Sequence, residues 1–389
     1  MRGARTSHGA PPHRKCPYRE GTSGPTLSTP VTPRTLLLLA AVAAFATASD
    51  LGAQAPPPAP PTAATSAPSE PSATDRPSFP QFLDGVRTDA LARGIKASTV
   101  DTAFAGLEPL PVVVERDRTQ AEFTLDLDAY IKRRLTPHLM RDTRHQLSEH
   151  RELLDKIAQQ FGVPATTIVA VWALESNLGR FTGVRPTVAA LATLAWDGRR
   201  PFFRGELLDA LTIIDRGDIE PERLRGSWAG AMGQVQFMPS SYLKYAQDFD
   251  GDGRKDIWAS PADVFASIAN YLKENGWTAG QPWGREATVP APAHDAVMLS
   301  APLRTEGCRA ERDMTVPLYL NQWQHLGVRG LHGHALPTAD LAASLVTAGK
   351  RRFLVYGNYG AILRYNCANA YALTVGVLSD RLAAGPAKP

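Results

Sequence analysis

The chain has 389 residues, 43% of them hydrophobic and 21% charged, with a net charge of +4. This is enough for one large domain or two ordinary ones, with the composition of a globular protein. The basic balance does not point to a nucleic-acid partner. Residues 1–55 hold Arg2, Arg5, Arg14, Lys15, Arg19 and Arg34 against Glu20 and Asp50, which accounts for the whole net +4, and no basic stripe follows.

In chain order, the first feature is an apolar run from Leu36 to Ala46, preceded by Arg34 and followed by small residues. It is too short to span a bilayer, which takes roughly 20 apolar residues. It reads as the apolar region of a secretory signal with cleavage near Ala53-Gln54-Ala55; a buried core helix is the blander alternative. The Pro-rich prelude containing Cys16 is unusual for such a signal and suggests translation from Val31. No cysteine directly follows the apolar run, so no lipid anchor is expected there. Residues 1–55 are thus a leader of an exported protein. From Pro56 to Pro80 nine prolines stand among Ala, Ser and Thr, a composition that cannot offset its ordering entropy, so 56–78 reads as a linker.

Folded structure is expected from Phe79. Residues 79–160 read as helical, with Phe82, Val86, Leu91 and Ile95 at helical spacing. Further helices are expected over 164–178, 203–216, 239–246, 261–275 and 368–383. Between 286 and 356 the texture changes to short apolar runs broken by Pro and Gly: Val289-Pro290, Val297-Met298-Leu299 and Val316 to Leu320. This segment reads as a small β-rich insertion. Cys308 and Cys367 form either one disulfide or two buried thiols; spacing does not decide.

The helix opening at Pro164 carries the candidate chemistry. Trp172, Val171 and Ile168 precede Glu175 by three, four and seven positions, so its carboxyl lies on an apolar face in the last helical turn. Burial and the negative end of the helix dipole both disfavour ionisation. A carboxyl kept protonated near neutrality can donate a proton to a glycosidic oxygen. A salt-bridged glutamate at a helix end is the alternative. Downstream, Asp248, Asp250, Asp252 and Gly253 reproduce positions one, three, five and six of a calcium loop, with the Arg254 carbonyl at seven. Position twelve is Ala259 rather than an acid. A solvated acidic turn is the competing reading, although three close carboxylates repel one another without a cation.

Two blocks give this pattern a family likeness. Ala173-Leu174-Glu175-Ser176-Asn177 resembles the Glu-Ser signature of lysozyme-like lytic transglycosylases. The run Ser227-Trp228-Ala229-Gly230-Ala231-Met232-Gly233 followed by Gln236-Phe237-Met238-Pro239-Ser240 resembles the membrane-bound lytic transglycosylase B family. The likeness continues through Asp248 to Gly253, Ile268 to Tyr271, Gly276-Trp277, Arg364-Tyr365-Asn366 and Tyr371.

The resemblance implies a mainly α (α+β) fold over 79–385. Its parts would be a helical part (79–160), a lysozyme-like catalytic core (161–285) with an EF-hand-like loop (248–263), the β-rich segment (286–356) and a closing helix (357–385). It implies that Glu175 is the sole acid/base in cleaving the bond between N-acetylmuramic acid and N-acetylglucosamine in peptidoglycan, leaving a 1,6-anhydro end. Gln236, Phe237, Tyr271, Tyr365, Asn366 and Tyr371 would line the sugar cleft, and Ser227 would hydrogen-bond near the carboxylate. The glycine-rich loop before Gln236 would let the backbone approach the sugar. A structural Ca2+ would be held by Asp248, Asp250, Asp252, Arg254 and Asp263, the last closing the longer loop, with Asp256 binding directly or through water. No organic cofactor is expected. A second carboxylate in the cleft, such as Asp197 or Glu206, would instead favour ordinary hydrolysis. A hydrolytic muramidase, a non-catalytic peptidoglycan-binding protein and a calcium sensor are the rival readings. The expected setting is the periplasm, the expected partner peptidoglycan, with other cell-wall enzymes compatible, and the chain is taken as a monomer.

Overall fold

A computed structural model describes residues 76–118, 127–198 and 200–385. The leader and most of the linker lie outside the described residues. Six helices come first: α1 (Phe79–Ala92), α2 (Ala97–Phe104), α3 (Pro111–Arg118), α4 (Leu127–Arg134), α5 (Pro137–Glu149) and α6 (Arg151–Phe161). The start of α1 is set locally. The Ser78 hydroxyl accepts from the Gln81 amide at 3.4 Å while the Gln81 side chain accepts from the Ser78 amide at 3.0 Å, a reciprocal cap with Pro80 in the first turn.

The central helices are α7 (Ala165–Ser176), α8 (Thr187–Asp197), α9 (Phe202–Asp215), α10 (Pro239–Tyr245) and α11 (Pro261–Glu274). A two-stranded ribbon, β1 (Arg185–Pro186) with β2 (Arg225–Gly226), lies among them. In α7 nine of twelve residues are buried, Thr167 through Leu174 without interruption and then Ser176. It therefore has no solvent face, and the single apolar face expected from sequence is an understatement. It packs against α5, α6, α11 and the final helix, α16 (Asn369–Ala383). Such a helix is long in apolar character because it is a core element; no single helix among the described residues is long and apolar enough to cross a membrane.

The segment after α11 contains β3 (Gly284–Thr288), α12 (His294–Ser300), α13 (Arg309–Arg312), β4 (Leu318–Tyr319), α14 (Leu320–His325), β5 (Arg329–Gly330), β6 (Ala342–Ala348) and β7 (Arg351–Val355). Its sheet is antiparallel in the order β4-β6-β7-β3-β5. Alternation along the β6–β7 hairpin explains why it is buried on both faces. Val346, Ala348, Phe353 and Val355 join the main helical core, whereas Ala343, Leu345 and Leu354 join a smaller cluster with Val297, Leu320 and Trp323. Two sequence expectations need correction here. Val297-Met298-Leu299 is helical, and only Leu318–Tyr319 of the Val316–Leu320 run is strand.

The chain closes with α15 (Gly357–Tyr365) and α16, two helices where the sequence suggested one. Their junction is tied to α13 in three ways. Cys308 and Cys367 form a disulfide, with Cα atoms 6.5 Å apart. The Asn369 amide donates to the Ala310 carbonyl at 2.8 Å, and Arg364 pairs with Glu311 at 3.7 Å. Closing 59 residues of chain in this way removes unfolded-state entropy worth roughly 4 kcal/mol in the loop-closure model. The β-rich insertion thereby fixes the two helices that carry Tyr365 and Tyr371.

Candidate active site

Glu175 stands at the C-terminal end of α7, half-buried, one residue before the helix stops. The stop is abrupt: Asn177, Leu178 and Gly179 take φ of 51°, 62° and 78° in succession. A buried leucine in the left-handed region costs on the order of 1–3 kcal/mol, and it is retained because packing dictates it. Ser176 stitches the turn, accepting from the Gly179 amide at 3.0 Å and donating to the Trp172 carbonyl at 3.2 Å.

Burial pushes the Glu175 carboxyl from the ordinary 4.5 up to about 7. The phenol of Tyr371 and the charge of Arg134 act in the opposite direction, and burial prevails. Among the described residues the buried Tyr371 hydroxyl meets no partner at standard hydrogen-bond geometry, and it interacts electrostatically with the Glu175 carboxyl. Burial, followed by the Glu175 charge, raises the phenols of Tyr365 and Tyr371 well above their usual range. Tyr271, further off, is pushed up to about 12.

These tyrosines form one wall. Ring centroids are 4.6 Å apart for Tyr271 and Tyr365, and 6.5 Å for Tyr365 and Tyr371, which stack. Their hydroxyls are largely committed: Tyr271 donates to the Arg364 carbonyl at 2.6 Å and Tyr365 to the Val235 carbonyl at 2.7 Å. Each ring is thus anchored by its polar end. Phe237 is only 2% exposed and lies 5.3 Å from Tyr271 and 5.7 Å from Tyr365, so it backs the wall instead of lining it. Asn366 is exposed at the end of α15.

The loop 226–238 is built around its own backbone. The Ser227 hydroxyl accepts from the amides of Ala229 at 3.3 Å and Ala231 at 3.1 Å. Gln236, at φ 52°, donates to the carbonyls of Thr182 at 3.1 Å and Gly233 at 2.9 Å. The glycines serve interior packing more than approach to a ligand. A Cβ on Gly230 would collide with Leu191, and one on Gly233 would come within 2.8 Å of Ile257, both left-handed positions. Gln234, not singled out in the sequence, links three parts: Trp172 donates to its carbonyl oxygen at 2.8 Å and its amide donates to the Trp258 carbonyl at 2.8 Å.

A cavity of about 490 Å³ opens onto Glu175 and is lined also by Arg133, Arg134, Leu139, Asn177 and Phe181. Among the described residues no second carboxylate lines it or shifts Glu175. The two rivals named from sequence are elsewhere. Asp197 is 3% exposed and paired with Arg76 and Arg118, each at 3.5 Å. Glu206 accepts from the Ser240 hydroxyl at 2.7 Å and the Ser240 amide at 3.0 Å, capping α10.

Asp248, Asp250 and Asp252 bring ligand oxygens within 4.8 Å of one another on the surface. Loop amides fold around them: Gly251 and Gly253 donate to Asp248 at 2.7 and 2.9 Å, and Arg254 to Asp252 at 2.8 Å. Three hard oxygen donors suit a calcium-type cation. Asp263 is fully buried and its two oxygens accept from the amides of Phe249 and Asp256, both at 2.7 Å, so it pins the loop to α11 and stands outside the cluster. Asp256 likewise accepts from Trp258 and Ala259.

With this geometry in hand, the comparisons become specific. Residues 78–380 match the family model described as the transglycosylase SLT domain. The chain belongs to this family. Membrane-bound lytic murein transglycosylase B of Escherichia coli K12 is 33% identical over 256 residues, 65% of this chain and 66% of that protein, just under two thirds of its length. Among solved structures, SltB3 from Pseudomonas aeruginosa in complex with NAG-anhNAM-pentapeptide gives a TM-score of 0.72 at 43% identity, covering 79% of this chain and 80% of that one. Escherichia coli Slt35 in complex with calcium gives 0.64 at 28% identity, covering 80% and 94%. The fold is thus that of the lysozyme-like lytic transglycosylases, mainly helical with a small sheet.

Burial of Glu175 has a measurable cost in stability. Between pH 4.5 and about 7 the unfolded chain sheds a proton that the folded chain keeps, so stability falls as pH rises through that window. Glu175→Gln cannot ionise and escapes this loss. Chemical denaturation should find the variant equal to wild type near pH 4 and more stable by about 2 kcal/mol above pH 8, after allowance for solvent reaching a half-buried group. Equal stability at both pH values would contradict the raised carboxyl.

Proposed function

We propose that this chain is a peptidoglycan lytic transglycosylase that cleaves the β-1,4 bond between N-acetylmuramic acid and N-acetylglucosamine, with Glu175 as acid and then base. The observation that carries the reading is a single carboxyl raised to about 7 beside a tyrosine wall, with no second carboxylate among the described residues of its cavity. Family membership and the muropeptide complexes of SltB3 support the same substrate class.

Protonated Glu175 donates its proton to the glycosidic oxygen as the bond to the muramyl C1 breaks. The substrate's own 2-acetamido oxygen stabilises the developing positive charge at C1, a task otherwise given to a second carboxylate. Glu175, now ionised, removes the proton of the muramyl C6 hydroxyl, whose oxygen closes onto C1. Proton and bond counts balance without water: the glycosidic C1–O bond breaks and an internal C1–O6 acetal bond forms. A pKa near 7 serves both halves, since the group must give and retake the same proton. Tyr271 and Tyr365 offer anchored ring faces to pyranoses, with Tyr371 set against the carboxyl. Gln236, Asn366 and Ser227 are proposed as further sugar contacts or as supports of that carboxyl, with Phe237 behind the wall.

Asp248, Asp250 and Asp252 would hold a Ca2+, with the Arg254 carbonyl completing the loop. The ion would offset two of the three negative charges of the neighbouring carboxylates and stiffen the loop ahead of α11. The proposed setting is the periplasmic cell wall, consistent with the apolar run at Leu36–Ala46.

Mass spectrometry of products from purified peptidoglycan tests the reaction. Wild type should give muropeptides with anhydro ends, and Glu175→Gln should lose at least about 100-fold in rate. Products heavier by one water would instead assign a hydrolytic muramidase. For the loop, Ca2+ at a hundredfold excess over its Kd should add about 2.7 kcal/mol of stability. Thermal unfolding should show this shift in wild type and not in Asp250→Asn/Asp252→Asn; no shift in wild type would remove calcium from the account.

A further inference from the structure

The strained turn that follows Glu175 stands on a single side chain. Asn177, Leu178 and Gly179 are left-handed in succession, and Gly179 lies directly against the side-chain amide of Gln234. A Cβ at Gly179 would collide with the Gln234 Oε1, so glycine is required there by its neighbour as well as by its φ of 78°. The same Oε1 accepts from the Trp172 Nε1 at 2.8 Å. Trp172 stands three residues before Glu175, one helical turn back on the same side of α7. It is buried, and its ring packs edge-on to Phe265 with centroids 5.0 Å apart.

These contacts close into a ring around the end of α7. Trp172 donates to Gln234, whose amide abuts Gly179; the Gly179 amide donates to the Ser176 hydroxyl, which donates to the Trp172 carbonyl. Glu175 lies on the segment that this ring encloses. Gln234 is itself held from its far side. Its backbone amide donates to the Ile257 carbonyl at 2.9 Å, and its Nε2 to the Trp258 carbonyl at 2.8 Å. Only one orientation of the side-chain amide satisfies both neighbours. Rotating it by half a turn would set two donors together at Trp172 and two acceptors together at Trp258. Gln234 does not line the cavity at Glu175, so it reaches that carboxyl only through Trp172 and the turn.

On the reading of Glu175 as acid and then base, on which this inference rests, a small displacement of the carboxyl is costly. Proton transfer needs it within hydrogen-bond reach of the glycosidic oxygen. We infer that Gln234 is a positioning residue for this reaction. Its amide locks the last turn of α7 to the turn at 177–179, which aims the Glu175 carboxyl and keeps water from it. It makes no contact with the reacting atoms.

Two substitutions test this, with Glu175→Gln as the reference for loss of the acid/base. Gln234→Met keeps the length of the side chain and removes both of its hydrogen bonds. Kinetics on soluble glycan strands should show kcat lowered roughly tenfold or more, with KM within about twofold. NMR titration should find the Glu175 midpoint moved from near 7 toward 4.5, as water reaches the loosened turn. Gln234→Glu is a conditional rescue. Protonated, one oxygen accepts from Trp172 while the hydroxyl donates to the Trp258 carbonyl, as the amide does; ionised, a bare oxygen faces that carbonyl. Its kcat should therefore be near that of wild type at pH 5 and roughly tenfold below wild type at pH 8. If Gln234→Met does not fold, the Gln234→Glu ratio decides alone. A ratio that does not change with pH, or a Gln234→Met enzyme with wild-type kcat and an unmoved Glu175 midpoint, overturns the inference. Wild-type kcat in Glu175→Gln overturns the reading of Glu175 instead.

Discussion

One carboxyl group at the end of an apolar helix sets the terms for the rest of this molecule. A helix without a solvent face has to be enclosed, and α5, α6, α11 and α16 enclose α7. An enclosed helix delivers its terminal side chain into a region poor in water, where the neutral form of a carboxylic acid is favoured. The protein then supplies limited relief, through Arg134 and Tyr371, that keeps the group near 7 and within reach of both protonation states. Greater relief would leave an ordinary carboxylate, and less would leave an acid unable to act as base.

Positioning accounts for much of the remaining architecture. The cleft wall comes from α11, α15 and α16, which are distant in sequence from α7. Gln234 couples Trp172 on α7 to Trp258 near the acidic loop, so α7 and that loop share one hydrogen-bonded bridge. The β-rich insertion has its own small core, and its disulfide, amide and ion-pair ties end at the junction that holds Tyr365 and Tyr371. It is best understood as a clamp on the cleft wall. Because these ties act through cross-links and buried polar contacts, their effect should be felt as order in the site as much as in global stability.

The parts of this design that are local were legible in the sequence. The start of folded structure near Phe79, the helices over 164–178 and 261–275, and the carboxyl at Glu175 follow from residue type and spacing. Helix α8 was not read, because Thr187–Asp197 is apolar on nearly every side and offers no period to detect. The β6–β7 hairpin falls inside the segment expected to be β-rich, although its two runs were not singled out, while Val297-Met298-Leu299, named in that segment, proved helical. What sequence could not show is assembly. Arg133, Arg134 and Phe181 meet only through tertiary packing, Asp263 turns inward to hold backbone amides, and the glycines of the 226–238 loop answer to Leu191 and Ile257. The tyrosines were found through family likeness, since a tyrosine in isolation does not distinguish a wall from a core.

The central claim is that burial holds Glu175 protonated up to neutral pH, and it is tested most directly by NMR titration of the glutamate side-chain carboxyls, with Glu175 assigned by its disappearance in Glu175→Gln. The account predicts a carboxyl that titrates near pH 7, well apart from the exposed glutamates. A midpoint near 4.5 would contradict it, for a group already ionised at neutral pH has no proton to give to the glycosidic oxygen.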